Sequence, residues 1–242
     1  MVTGPERRLS GVVWLKECES TNDEALARLS DPAVLGVGAE TQTAGRGRRG
    51  RSWLSPAGGL YFSWIARPRF AQTRGGALPL LAGVGIAEAC AALGVKVELK
   101  WPNDVLVAGE KLSGVLCEAR ARPDGGWAAV VGIGLNLRTP EGGWPAEIPA
   151  TALDAHLGEV PTPGALSETL TERLQAWLER VEREGLAPVL HAWERSGPPR
   201  GAPLRRGETV GGFDGLAPDG GLRLVTETGV VVVHAGDVER VR

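Results

Sequence analysis

The amino-acid sequence predicts an α/β (α+β) fold: a mixed, largely antiparallel sheet with helices, carrying a small all-β barrel at its C-terminal end. Three observations lead there. Short runs rich in β-branched and aromatic residues recur between segments whose apolar residues fall at helical spacing, the contrast of periods that separates strands from helices. Later runs are joined by tight turns such as Ala108-Gly109-Glu110, which favour antiparallel neighbours. A proline-rich break, SGPPRGAP at 196–203, divides the chain into a domain of residues 1–196 and a smaller one of residues 197–242.

Taken in order, VVWLKE (12–17) reads as a strand, and STNDEALARL (20–29) as a helix opened by Ser20 or Thr21. Thr21 with Glu24 three residues on has the pattern of a capping box. Residues 34–42 read as a buried strand, followed by a Gly/Arg loop and the aromatic-rich strand 58–66. LPLLAGVGIAEACAALG (78–94) is an apolar helix ended by Gly94 at the C′ position. Two strands flank the turn at 108–110, and WAAVVGIGLNL (127–137) supplies another. The segment 167–184 is an amphipathic helix with Leu170, Leu174, Trp177, Leu178 and Val181 on one side, and 187–195 forms a shorter one. Beyond the break, alternating runs between Pro-Asp-Gly-Gly and Glu-Thr-Gly turns read as the small barrel.

Composition removes several function classes. Hydrophobic residues make up 43% and charged residues 23% of 242, enough for an ordinary core. No run approaches the ~18 consecutive apolar residues of a membrane span, and MVTGPERRLS lacks the apolar stretch of a signal peptide; a cytoplasmic protein that contacts no membrane is expected. Cys18, Cys90 and Cys117 are scattered, as are His156, His191 and His234, which supports neither a disulfide framework nor a His/Cys metal site. A formal charge of −2 argues against a surface devoted to nucleic acid, so phosphate chemistry must be local. The chain uses arginine by default: of 27 basic residues only Lys16, Lys96, Lys100 and Lys111 are lysines.

Five short stretches carry candidate chemistry. GRGRRGR (45–51) lacks P-loop spacing, but guanidinium forks suit phosphate and carboxylate, and interleaved glycines let the backbone approach a ligand. A phosphate clamp and a solvated or RNA-binding basic loop are both open for it. KWPNDVL (100–106) is good turn chemistry and equally brings Asn103 and Asp104 to a strand end where a magnesium–nucleotide complex could sit. Lys111 in GEKLSG offers a point charge that arginine does not replace. VVGIGLNL (130–137) places Gly132, Gly134 and Asn136 at the end of an apolar strand, where glycine often marks close approach. STND (20–23) is a helix cap and also a place where polar groups can meet a ligand.

In order and spacing, STND, Gln42, TAGRGRRGRSW, KWPND, GEKLSG and GIGLN together resemble the biotin protein ligases, over about residues 12–137, and the C-terminal segment is similar to their small SH3-like domain. The resemblance implies a two-step reaction: biotin and Mg2+-ATP give biotinyl-AMP and pyrophosphate, and the acyl group then passes to a lysine of a biotin carboxyl carrier protein, the acetyl-CoA carboxylase subunit. It implies that Ser20, Thr21, Asn22 and Gln42 hold the polar groups of biotin, and that Trp53, Gly45, Gly114 and Gly132 shape the pockets. Arg46, Arg48 and Arg51 would order around phosphates and adenylate, with Arg48 and Lys111 in catalytic roles, Lys111 bridging biotin carboxyl and α-phosphate. Asn103, Asp104 and Asn136 fall on the nucleotide side, Arg49 faces solvent, and no metal ligands are assigned. The Gly/Arg loop would close over the adenylate. A form without the DNA-binding domain of the repressor members is expected, because 19 residues before Ser20 cannot hold such a module. A homodimer formed through an exposed sheet edge is compatible with the resemblance. Lipoate ligases, which share the adenylation logic, and an RNA-binding protein acting through GRGRRGR are the rival readings; the heptad followed by Trp53 favours biotin.

Overall fold

The computed structural model describes residues 7–9, 11–122 and 126–241; most of the N-terminal stretch read for a leader lies outside them. Eight strands form the main sheet: β1 (Arg7–Leu9), β2 (Val12–Cys18), β3 (Gly36–Gln42), β4 (Leu60–Ala66), β5 (Glu98–Lys100), β6 (Asp104–Val107), β7 (Glu110–Ala121) and β8 (Trp127–Leu135). Their spatial order is β1-β2-β3-β4-β8-β7-β6-β5. Only β2 and β3 run parallel, because α1 (Thr21–Ala27) crosses between them; every other neighbouring pair is antiparallel. The mixed, largely antiparallel sheet expected from the turns is the one present.

α2 (Leu78–Ala92) lies between the sheet and the pair α3 (Pro163–Glu184) and α4 (Ala187–Ser196). Covered on both sides, it is apolar all round, which is how a central helix avoids exposing a greasy face. The stretch Gly75–Ala92 is long and apolar enough by composition to cross a membrane, contrary to the expectation from run length, because one charge, Glu88, interrupts it; 67% of it is buried inside the fold. α2 ends in a Schellman arrangement: Gly94 is left-handed at φ 84°, Val95 N–H donates to the Cys90 carbonyl and Gly94 N–H to that of Ala91.

Two helices differ from their predicted bounds. α1 ends at Ala27 and has no capping box: Ser20 is the N-cap, so Glu24 sits one position too late and pairs with Arg28 instead. The helix start is held from outside, since Gln42 at the end of β3 accepts from the Thr21 backbone N–H. α3 begins at Pro163, four residues before the expected start, with Thr162 as N-cap accepting from Ala165 N–H at 3.3 Å. Thr-Pro is a cap followed by a proline at the first helical position, where its missing N–H costs nothing. Thr162→Ala is expected to lower stability by about 1 kcal/mol, read as a shift of the urea unfolding midpoint at unchanged slope.

The C-terminal strands β9 (Pro203–Arg206), β10 (Thr209–Leu216), β11 (Leu222–Thr226), β12 (Gly229–Val233) and β13 (Glu239–Arg240) form a five-stranded antiparallel sheet in the order β12-β11-β10-β9-β13. Its buried residues Leu204, Phe213, Leu222 and Leu224 join the same hydrophobic core as Trp193 of α4. Trp101 Nε1–H, in the KWPND turn, donates to the Gly220 carbonyl at 3.0 Å. The second sheet is thereby fixed against the end of the main sheet that carries the candidate motifs.

Candidate functional site

The site is built on one face of β4, β8 and β7, and its shape follows from where side chains are missing. Gly134 pairs with Gly114 and Tyr61, and Gly132 with Leu116 and Ser63, so three glycines make a shelf on the central strands. A Cβ at Gly134 would lie 2.3 Å from the Trp53 ring, and one at Gly114 3.0 Å from it. A Cβ at Gly132 would lie 2.1 Å from Asn22 Oδ1. The shelf therefore seats the Trp53 indole at one end and the Asn22 amide at the other. Around it opens a cleft lined by polar, aromatic and cationic side chains, the kind of mixed lining that orients a small ligand.

The end near α1 is a neutral polar cradle. Thr21 Oγ1–H donates to Gln42 Oε1 at 3.1 Å, and Gln42 Nε2 donates to Ser55 Oγ at 2.8 Å. Ser63 Oγ, buried in an otherwise apolar strand, lies 2.8 Å from Thr21 Oγ1 and 2.7 Å from Asn22 Oδ1, with one hydrogen to offer between them. Asn22 Nδ2 donates to Glu118 Oε2 at 2.8 Å. Ser20, Thr21 and Asn22 are each under 5% exposed and line the cleft. Buried amides and hydroxyls satisfied in this way fix one another's orientation.

The other end is cationic, and a bulge puts its lysine in place. Between β6 and β7 the register runs Val105↔Ser113 and then Leu106↔Lys111, so Leu112 is an extra residue. In an unbroken strand Lys111 would share a face with Ser113; the bulge turns it onto the face of Gly114, the re-aiming such irregularities produce. Lys111 Nζ stands 5.3 Å from the Trp53 ring centroid and forms a 2.7 Å ion pair with Asp104 Oδ1. Asn136 Nδ2 donates to the carbonyls of Thr151 and Lys111, holding the backbone beneath that lysine.

GRGRRGR spans both ends. It is pinched by a bridge between Arg46 and Ser52, and Arg49 is left-handed at φ 57°. Arg46 donates to Asp23 at 2.6 Å and to Glu118 at 2.9 Å. Arg48 donates to Asn103 Oδ1 at 2.7 Å, while Asn103 Nδ2 is itself tied to the Val115 carbonyl. Arg48, Arg49 and Arg51 gather around one carboxylate of the second sheet, Asp237, at 3.8, 3.5 and 3.1 Å.

Most residues expected from the sequence line this cleft: Ser20, Thr21, Asn22, Gln42, Arg46, Arg48, Arg51, Trp53, Asn103, Lys111, Gly114 and Gly132. Three stand behind it. Gly45 is packed where a Cβ would meet the Trp53 carbonyl at 2.5 Å, Asp104 is engaged by Lys111, and Asn136 by backbone carbonyls. Arg49, expected to face solvent, is more than half exposed yet contacts Asp237. The sequence reading noted Gly134 within GIGLN without giving it a role, and missed Ser63, Glu118 and Asp237. Gly134 stands two residues from Gly132 and so on the same strand face, and Ser63 is the one polar residue in LYFSWIA, signals that a period-2 reading would have caught; Asp237, 186 residues from Arg51, had none.

Among the described residues no cluster of three or more His, Cys, Asp and Glu side chains could hold a metal ion. Cys18 and Cys90 are buried, and burial, which disfavours the thiolate, pushes both thiols up to about 12. Neither is suited to nucleophilic work at neutral pH.

Residues 16–136 match the model of the biotin/lipoate A/B protein ligase family. The chain belongs to that family. It is 34% identical over 237 residues to the biotin–(acetyl-CoA-carboxylase) ligase of Paracoccus denitrificans, covering 93% of this chain and 98% of that one. The protein of the same name from Mycobacterium tuberculosis H37Rv is 36% identical over 240 residues, covering 92% and 86%. Among solved structures, the biotin protein ligase from Aquifex aeolicus in complex with biotin and ATP superimposes with a TM-score of 0.80 at 30% identity, covering 96% of this chain and all of that one. Family membership accounts for the mixed sheet and for the gathering of the dispersed motifs into one cleft.

Proposed function

We propose that the protein is an ATP-dependent biotin protein ligase that activates biotin as biotinyl-5′-AMP and transfers it to a lysine of a biotin carboxyl carrier protein. One observation carries this reading: a single cleft joins a neutral hydrogen-bonding cradle to a cluster of cations, with an aromatic ring at the cationic end. Biotin has that polarity, a neutral ureido ring at one end and a carboxylate at the other. A dithiolane ring has no comparable donors, so the cradle of Thr21, Asn22, Gln42 and Ser63 would go largely unused by lipoate, which favours biotin.

In the first step a biotin carboxylate oxygen attacks the α-phosphorus of ATP, the bond to the bridging oxygen breaks, and pyrophosphate leaves with the electron pair. An anion must approach a polyanion, so positioning and charge neutralisation dominate the barrier. Lys111, beside Trp53 and on the shelf face, is placed to meet both reacting oxygens, and Arg48 and Arg51 to meet the phosphates. Asp104 serves by holding Lys111, and Asn136 by holding its backbone. Among the described residues no three His, Cys, Asp or Glu side chains cluster to hold a resident ion, so the cation is assigned to the nucleotide substrate, whose phosphates supply most of magnesium's ligands. In the second step the acceptor amine attacks the acyl carbon and loses a proton as AMP departs. Water must be kept from that acyl carbon meanwhile, the task given to the Gly/Arg loop.

Incubation with biotin, Mg-ATP and a carrier domain should add one biotin to the carrier, seen as a mass increase, and biotin rather than lipoate should support pyrophosphate exchange. Exchange with lipoate alone would reverse the assignment. Arg48→Ala removes the charged hydrogen bond to Asn103, of order 1.5–3 kcal/mol, and is expected to raise release of biotinyl-AMP into solution about tenfold or more. Unchanged leakage would count against closure by this loop.

A further inference from the structure

Glu118 lies outside the roles assigned so far, and its position links two of them. It shares the shelf face of β7 with Gly114 and Leu116 at two-residue spacing. One oxygen, Oε2, accepts from Asn22 Nδ2 at 2.8 Å and from Arg46 at 2.9 Å. The first bond orients the Asn22 amide, turning its nitrogen toward β7 and its carbonyl oxygen toward Ser63 and Gly132. The second, with Asp23, ties the first arginine of the Gly/Arg loop to the sheet and to α1. The loop thus has an anchored end at Arg46, while its other arginines reach Asn103 and Asp237.

We propose that Glu118 is the positioning residue that couples the occupied cradle to the loop. It touches no reacting atom. Filling the cradle engages Asn22, Asn22 is held by Glu118, and Glu118 holds Arg46, so the anchored end of the loop is in register only when the cradle is correctly arranged. The inference rests on the biotin ligase reading and refines it. The nucleotide end is served by Arg48, Arg51, Trp53 and Lys111, whereas the bonds of Glu118 go to Asn22 and Arg46, so loss of Glu118 should separate the two substrates kinetically.

The test uses the full chain in biotin-dependent pyrophosphate exchange, with biotinyl-AMP release followed separately. Glu118→Ala removes both bonds, leaving Asn22 Nδ2 only its long 3.4 Å contact with the Leu116 carbonyl, and is expected to raise the KM for biotin about tenfold, with the KM for ATP within about twofold. Glu118→Gln keeps the volume and an acceptor for Asn22 but discards the charge facing Arg46. It should alter the KM for biotin less than about threefold and still raise adenylate release severalfold. Arg46→Ala should add less leakage on the Glu118→Gln background than it does alone, since the two changes share the Glu118 contact and only the Asp23 contact is left to lose. An equal rise in both KM values would mean a merely structural role and overturn the proposal, as would leakage unchanged in Glu118→Gln. Should the alanine variant fail to fold, the isosteric glutamine variant decides by its leakage. If the parent chain itself shows no biotin-dependent exchange, it is the biotin ligase reading that fails.

Discussion

Lys111→Ala is expected to abolish measurable biotinyl-AMP synthesis, with kcat for pyrophosphate exchange reduced by roughly 10²–10³ or more, while the chain unfolds at nearly the same urea concentration. The separation follows from the ion pair. Lys111 and Asp104 have side chains 32% and 21% exposed, and such partly solvated pairs contribute little to stability, ~0–1 kcal/mol. Toward two anions brought together in the cleft, the same ammonium is the nearest compact charge. Lys111→Arg should not rescue the rate, because the guanidinium is larger and would press on Trp53, whose ring centroid is 5.3 Å from Nζ. Exchange at the parental rate in the alanine variant would remove Lys111 from the mechanism.

The route by which Lys111 reaches the cleft shows what a sequence conceals. Its residue type and its place beside Gly114 single it out in a chain with four lysines. Simple alternation, however, would send it to the wrong face, since positions 111 and 114 differ by an odd number. One inserted residue at Leu112 reverses that parity, and nothing in GEKLSG announces a bulge. The same limit applies to α1: its start looks locally capped, but the cap comes from Gln42, 21 residues away in sequence.

Elements with strong local rules were legible. α2 and its glycine stop, the Ala108-Gly109 hairpin with both residues left-handed, and the alternating C-terminal strands follow from periodicity and turn chemistry. The site was legible where its residues cluster in short motifs, and opaque where partners are distant. Arg46 illustrates the difference. The sequence groups it with Arg48 and Arg51 as a phosphate ligand, but in the fold it is held by Asp23 and Glu118 at the opposite end of the loop. GRGRRGR is therefore not a uniform band of positive charge. It has one arginine committed to carboxylates and three gathered on the half-buried Asp237, a contact partly screened by solvent that an arriving phosphate can compete with.

Gly132→Ala carries the second large effect, from a single methyl group. The added Cβ would stand 2.1 Å from Asn22 Oδ1 and 2.9 Å from its Cγ, closer than a Cβ packs against a non-bonded atom. The backbone of β8 is bound on both sides, to β4 and β7, so the amide must move instead. Asn22 is 4% exposed and bonded to Ser63 and Glu118, and moving it strands at least one buried polar group. Overpacking costs ~1–3 kcal/mol and a stranded group ~1–3 kcal/mol more, some of which the displaced amide recovers from water in the cleft. The expected result is a KM for biotin raised roughly 30- to several-hundred-fold, with the KM for ATP changed far less because Trp53 rests on Gly134 and Gly114. Gly134→Ala should show the reverse preference, since its methyl would meet the indole at 2.3 Å and displace the ring at the nucleotide end. Isothermal titration of both variants with biotin and with a non-hydrolysable ATP analogue measures the pair. If both variants weaken the same ligand, the two ends of the shelf do not serve different substrates.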